Sequence, residues 1–294
     1  MSRIARGLCV ATMSYCLMAA APSLAEEFAL SPQAPPEQPT LTPQTFTLAA
    51  ARAIAPIADT ASGAQDEMEA EAPASDFTFS GNVALATQYR FRGVNLSGSE
   101  LALQGGFDVV HASGFYAGTW ASTLDNDTVG YGSLELDLYG GWSGPLSEGL
   151  TADVGFIAYT YPDAPAGNFD YYEVFANLAF TLGPAATTVG VNYDPKQDGL
   201  DFGGLTRDNL YIYTDVGIGI PDTPVTINAH LGYTDGSLTF TNNSKSWDWS
   251  IGASVPLVGP LTASVAYIDA EADVATGAFN PTSSAVVGIL SATF

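Results

Sequence analysis

The chain is poor in the residues on which much site chemistry is built. Both of its two cysteines, Cys9 and Cys16, fall before Glu26. There Arg3 and Arg6 precede a largely apolar run, Gly7 to Ala21, and Ser23-Leu24-Ala25 offers a small-residue cleavage site. That pattern, residues 1–25, reads as a secretory signal peptide too short to span a membrane. Leu8 and Tyr15 precede the cysteines where a lipoprotein signal wants a small residue. The secreted chain is therefore expected to carry no thiol, no disulfide and no thiolate metal site. Two histidines, His111 and His230, are too few for a zinc cluster, so neither metal nor cofactor is expected.

Basic residues are also scarce: eight Lys and Arg stand against 31 Asp and Glu, a formal net charge of −23. Such a surface repels nucleic acid, and that class is dropped. Yet 47% of the residues are hydrophobic. After the signal no apolar run reaches the roughly 18 residues of a transmembrane helix. The apolar content must follow another pattern.

Residues 26–76 differ in kind from the remainder of the chain. Pro32, Pro35, Pro36, Pro39, Pro43, Pro56 and Pro73, many alanines and the acidic group Asp66, Glu67, Glu69 and Glu71 read as a disordered periplasmic linker. It is a spacer or a tether for a partner.

From Phe77 the hydrophobic period becomes two. Segments of strand length run from Phe77–Arg90 to Ser283–Phe294. In "LYIYTDVGIGI", Leu210, Ile212, Thr214, Val216 and Ile218 face one way, and Tyr211, Tyr213 and Asp215 the other. Gap lengths alternate, short as at Leu182–Pro184, then long as at Asp194–Asp208. Loops sorted by parity are the plan of a membrane barrel. The expected fold is all-β: a transmembrane antiparallel up-and-down β-barrel of about 12 strands over 77–294, after the disordered Pro/Ala-rich acidic leader.

Large rings gather near strand ends. With the long loops outside, Tyr89, Trp120, Tyr159, Tyr171, Tyr193, Tyr211, Tyr213, Tyr233, Trp247, Trp249 and Tyr267 lie near upper ends. Phe77, Phe79, Phe107, Phe115, Trp142, Phe180 and Phe294 lie near lower ends. Two aromatic belts at headgroup level are expected. In lipid every backbone polar group must be paired, so the last strand should close on the first. Phe294 then sits in the lower belt. It is also expected to be the address read by the barrel-assembly machinery, beside its plain role in a closing strand.

The stretch Asn82 to Ser122 resembles the start of the TorF family of porins. The likeness rests on Tyr89-Arg90-Phe91-Arg92-Gly93, Leu103-Gln104-Gly105-Gly106-Phe107-Asp108 and Gly114-Phe115-Tyr116-Ala117-Gly118-Thr119-Trp120. Glu135–Gly144 and Tyr172–Ala176 add to it, so it covers about the first half of the barrel. The resemblance implies an outer-membrane porin-like protein and names no solute.

With apolar faces turned to lipid, the inward, pore-lining set includes Arg90, Asp108, Glu135, Asp137, Asp153, Glu173, Asp215, His230 and Asp248, with Arg92 just beyond strand 1. Gln104, Asn177, Asn192, Asn228 and Ser250 share that face. Strand 3 is ambiguous, since Tyr116 and Trp120 share one face and Phe115, Ala117 and Thr119 the other. Ionised carboxylates are tolerable inside only if hydrated or paired, so this acidic excess argues for water in the lumen. Such a barrel encloses more than a filled eight-stranded one and less than a large porin. The expected function is a narrow water-filled channel for passive diffusion of small solutes, favouring cations or neutral molecules.

Arg90 and Arg92 pair with Glu135, Asp137 or Glu173 either as a transverse field at a constriction or as a structural bridge holding the first long loop. His230 has no serine signature beside it, so catalysis is not expected. A closed structural or adhesin barrel with loop-mediated binding is the alternative, and an outer-membrane hydrolase a more remote one. Asp125-Asn126-Asp127 is a solvated loop, or a place where divalent cations bridge to lipopolysaccharide. Outer-membrane lipids, lipopolysaccharide, the assembly machinery and small solutes are the expected partners.

Overall fold

The computed structural model describes residues 75–164, 169–203, 207–273 and 280–294. The expected signal peptide, residues 1–25, and nearly all of the expected linker, 26–76, lie outside these residues. β1 (Phe77–Ala86) starts the wall; β2 (Arg90–Phe91) and β3 (Val94–Asn95) form a small separate hairpin. The wall continues with β4 (Ala102–His111), β5 (Phe115–Thr123), β6 (Leu134–Ser147), β7 (Leu150–Thr160) and β8 (Tyr171–Leu182). It ends with β9 (Ala185–Asp194), β10 (Asn209–Gly219), β11 (Thr226–Gly236), β12 (Lys245–Pro256), β13 (Leu261–Ala270) and β14 (Ala285–Thr293).

These twelve long strands make a closed barrel in which sequence neighbours pair antiparallel. β14 returns to β1, with Asn82 opposite Thr293 and Ala86 opposite Ile289. The Gly81 N–H donates to Phe294 O at 2.8 Å, and the Phe294 N–H to Gly81 O at 2.9 Å. Phe294 thus closes the seam, and no strand edge is left unpaired in lipid.

Wall strands of 9 to 14 residues, tilted as barrels require, match an apolar band about 25 Å tall. Outside they present the residues that would normally make a core. Phe79 is 76% exposed, Phe107 67% and Ile251 53%; Leu103, Leu138, Ile212, Leu231 and Val265 also point out. In water such a girdle would be a continuous sticky patch; against acyl chains it is the stable surface. Connections 87–101, 124–133, 161–170, 195–208, 237–244 and 271–284 are long, and those between them are short turns. The parity seen in the sequence is real.

The belts form in part. Tyr193, Trp247, Trp249 and Tyr267 are exposed outside the upper wall. Rings pair there: Tyr233 with Trp247 at 4.8 Å, and Trp249 with Tyr267 at 5.4 Å. Phe77, Phe79, Phe107, Phe115 and Phe294 ring the lower end. Phe180 there is half-buried, and Trp142 donates its Nε1–H to Ser113 O at 3.0 Å. Tyr89, Tyr159, Tyr171, Tyr211 and Tyr213 do not belong to the belt: all five are buried inside. Trp120 packs on Tyr89 at 5.5 Å. A buried phenol needs a partner: Tyr89, Tyr159 and Tyr211 donate to Glu135, Glu173 and Asp248, and Tyr213 to the Asn177 amide oxygen.

The third long strand, β5, is settled the same way. Tyr116 points inward, Phe115 outward.

Glycines give the inner rings a place to lie. Tyr139 faces Gly118 across β5 and β6, Tyr116 faces Gly141, Phe175 faces Gly155, and Tyr213 faces Gly190. A methyl on Gly118 would meet the Tyr139 ring at 2.5 Å, and one on Gly190 the Tyr213 ring at 2.4 Å. The rings therefore lie flat against the wall, keeping the centre of the barrel clear for another segment.

Candidate functional site

That segment is the first long connection. The sequence extends strand 1 to Arg90, but β1 stops at Ala86 and the chain turns into the lumen. Phe91 pairs with Val94 around Arg92-Gly93. Both turn residues have positive φ, +48° and +78°, as a type I′ hairpin demands. Gly93 is required twice over, because a methyl there would lie 2.5 Å from the Ala270 Cβ. A one-sided strand would have kept Arg90 on the wall; a primed turn aims Arg92 across the barrel instead.

Arg92 is 5% exposed and reaches strands on the far side of the ring from β1. Its guanidinium forms an ion pair with Glu173 on β8 and lies 3.7 Å from Asp194 at the end of β9. It also stacks over the Tyr211 ring at 4.3 Å and the Phe91 ring at 4.7 Å. Glu173 accepts further bonds from Tyr159 at 3.2 Å and Asn192 at 2.5 Å. Asp194 is absent from the sequence-derived set, though Asn192 and Asp194 share the inward parity that would reveal it.

Arg90 does something else. Its guanidinium donates to Gln88 Oε1 at 2.7 and 3.0 Å and to the carbonyls of Gly93, Pro281 and Ser283. Among the described residues none of its hydrogen bonds goes to Glu135, Asp137 or Glu173, the acids expected to pair with it. Arg90 fastens the hairpin's base to the β13–β14 connection, which also accepts Asn95 N–H at Pro281 O, 2.7 Å. It is a structural clamp rather than a pore-facing charge.

The remaining expected residues fall into two levels. Near the hairpin, Glu135, Asp137 and Glu173 are at most 1% exposed. Glu135 accepts Tyr89 OH at 3.1 Å, while Asp137 has no hydrogen bond to either carboxylate oxygen among the described residues. These acids are covered by the hairpin, not bathed in lumen water as the sequence suggests, because the hairpin fills the space above them. Farther down, Asp108, Asp153 and Asp215 stay partly exposed. Tyr139 OH donates to Asp108 at 2.7 Å, and Tyr116 OH to Asp153 at 2.6 Å.

His230 joins three of its neighbours. Nδ1 lies 2.6 Å from Asp215, and Nε2 lies 3.0 Å from Asp248 and 2.7 Å from Tyr211 OH. A ring gripped by two carboxylates and a phenol is a fixed polar brace. Among the described residues no cluster of three or more His, Cys, Asp or Glu is arranged to hold a metal.

The family model for Gcw_chp, described as a bacterial protein of unknown function, matches residues 69–294. The chain belongs to the Gcw_chp family. No curated protein matches it. Similar solved structures include the KdgM porin, 9% identical over 73% of this chain and 98% of that one, TM-score 0.48. The NanC porin is 11% identical over 74% and 99%, TM-score 0.49. Pseudomonas aeruginosa OccK5 is 16% identical over 74% and 67%, TM-score 0.40. The Gcw_chp barrel stands on its own strand pairing.

Proposed function

We propose that this Gcw_chp chain is an outer-membrane porin-like channel for passive diffusion of small solutes, with the Arg92 hairpin as its constriction. One observation carries the reading: a polar hairpin, pinned by one arginine to the opposite wall, crosses a lumen lined with carboxylates and phenols. A barrel built only for anchorage gains nothing from a polar bar across its lumen, whereas a passage needs a narrow, chemically selective point. The TorF resemblance, which covers the hairpin sequence itself, supports the same function. Inward carboxylates outnumber inward bases, which favours cations and neutral solutes over anions. Outer-membrane lipids and lipopolysaccharide surround the girdle in this reading, and the strand ending in Phe294 is what the assembly machinery recognises.

The burial of Glu135, Asp137 and Glu173 favours a second reading, in which the hairpin is a permanent plug and binding is left to the outer loops. Liposome swelling separates the two. Protein reconstituted into vesicles should admit small neutral sugars and amino acids, and organic cations faster than anions of equal size. Vesicles that swell no faster than protein-free ones would refute the channel.

A further inference from the structure

Above the hairpin the long loops enclose a cavity of about 520 Å³, within the range of small-molecule sites. Five separate segments wall it: the hairpin, the end of the short helix α1 (Asn126–Val129), and the β7–β8, β9–β10 and β11–β12 connections. The lining is mostly aromatic and aliphatic. In the lining, Tyr131 is the ring the others share, 4.8 Å from Tyr161, 5.2 Å from Phe169 and 6.2 Å from Phe202, the last pair nearly parallel at 25°. Phe91 lines it from the hairpin. A hollow lined by so many rings at a loop cluster is unusual, because loops facing water are normally polar.

We infer that this cavity binds a planar aromatic molecule, neutral or cationic, before it meets the constriction. The charge of the lining selects the class. Among the described residues that line it, the only carboxylate is Asp127, and there is no basic side chain. The nearby guanidinium of Arg92 is stacked beneath Phe91 and already paired with Glu173. Aromatic faces attract cations and other rings, and a chain of net charge −23 repels anions. Phe91 joins the cavity directly to the hairpin turn, so an occupant rests against the residue next to Arg92. The inference rests on the channel reading only for the direction of approach.

Isothermal titration of the full secreted chain, folded in detergent, tests it with three ring-matched probes: quinoline, N-methylquinolinium and naphthalene-2-sulfonate. Quinoline and N-methylquinolinium should each bind once per chain, the sulfonate about tenfold or more weaker. Phe202→Ala and Tyr131→Ala, both in loops outside the wall, should each weaken binding roughly 3- to 10-fold. Asp127→Asn should weaken the cation alone. Heat-modifiable electrophoretic mobility verifies that each variant is folded. Folded wild-type protein that takes up no probe, equal binding of the sulfonate, or unchanged affinity in Phe202→Ala would overturn the inference. The titration involves no bilayer, so a silent channel and an empty cavity are separate failures.

Discussion

Replacing Arg92 by alanine should unlock the hairpin. The guanidinium is the cation set between Glu173 and Asp194, and both carboxylates are essentially sealed from solvent. Breaking a buried pair by removing one partner costs about 3–5 kcal/mol. Loss of the contacts over Tyr211 and Phe91 adds about 0.5–2 kcal/mol at 4.3 and 4.7 Å. The two costs overlap, because the freed acids can take up protons or the hairpin can withdraw and let water in. Even 3 kcal/mol shifts an equilibrium more than about 100-fold, enough to move the hairpin from mostly docked to mostly released. The wall itself keeps every strand pairing, so its unfolding should change little. Single-channel recording in planar bilayers should therefore find a larger conductance in Arg92→Ala, and hydrogen exchange should find faster exchange confined to 87–101. Arg92→Lys should fall between, since it keeps the charge and loses the planar fork. Unchanged conductance with unchanged protection of 87–101 would refute the clasp.

Two other perturbations probe the supports of that arrangement. Gly190→Ala should cost about 1–3 kcal/mol, because its methyl would sit 2.4 Å from the Tyr213 ring and from Asn177 Oδ1; urea unfolding from vesicles measures this, and an unaltered midpoint would contradict the flat-ring packing. Asp163, in the exposed β7–β8 connection, accepts from Ser133 Oγ and from the N–H groups of Ser133 at 3.1 Å and Leu134 at 3.2 Å. These bonds, the Ser133 hydroxyl foremost, hold its carboxyl below the usual range. A depressed folded value means the clasp is fully present above the unfolded value of about 3.9 and is lost as pH falls through the lower folded value. Ser133 amide exchange should stay slow down to about pH 4 and speed up below it. Asp163→Asn should remove that pH dependence.

Much of the fold was legible because lipid imposes so simple a rule. Period-two segments, loops sorted by parity and the aromatic lower rim all follow from facing acyl chains on one side only. The alternation of faces from Leu210 to Ile218 reads correctly, as does the closing strand through Phe294, although Tyr211 and Tyr213 do not join the belt expected of them. The sequence misleads where the same residue type serves two environments. Tyr89 and Tyr159 sit near upper strand ends like belt residues, yet their hydroxyls go to Glu135 and Glu173 inside. Strand parity alone would have placed Tyr211 and Tyr213 correctly. The inward hairpin is harder to see. Arg92-Gly93 resembles any turn between two apolar residues, and its destination depends on Glu173 and Asp194, 81 and more residues away in the chain. Non-local electrostatics leaves no periodic trace.

The central claim is that apolar side chains face acyl chains while polar ones face an interior. Single cysteines placed in turn at 210 to 218 in a chain starting at Glu26, which has no cysteine of its own, spin-labelled in lipid vesicles, test this most directly. Labels replacing Leu210, Ile212, Thr214, Val216 and Ile218 should be relaxed by oxygen dissolved in the bilayer, and those replacing Tyr211, Tyr213 and Asp215 should not. A pattern without alternation, or with its phase reversed, would contradict the account.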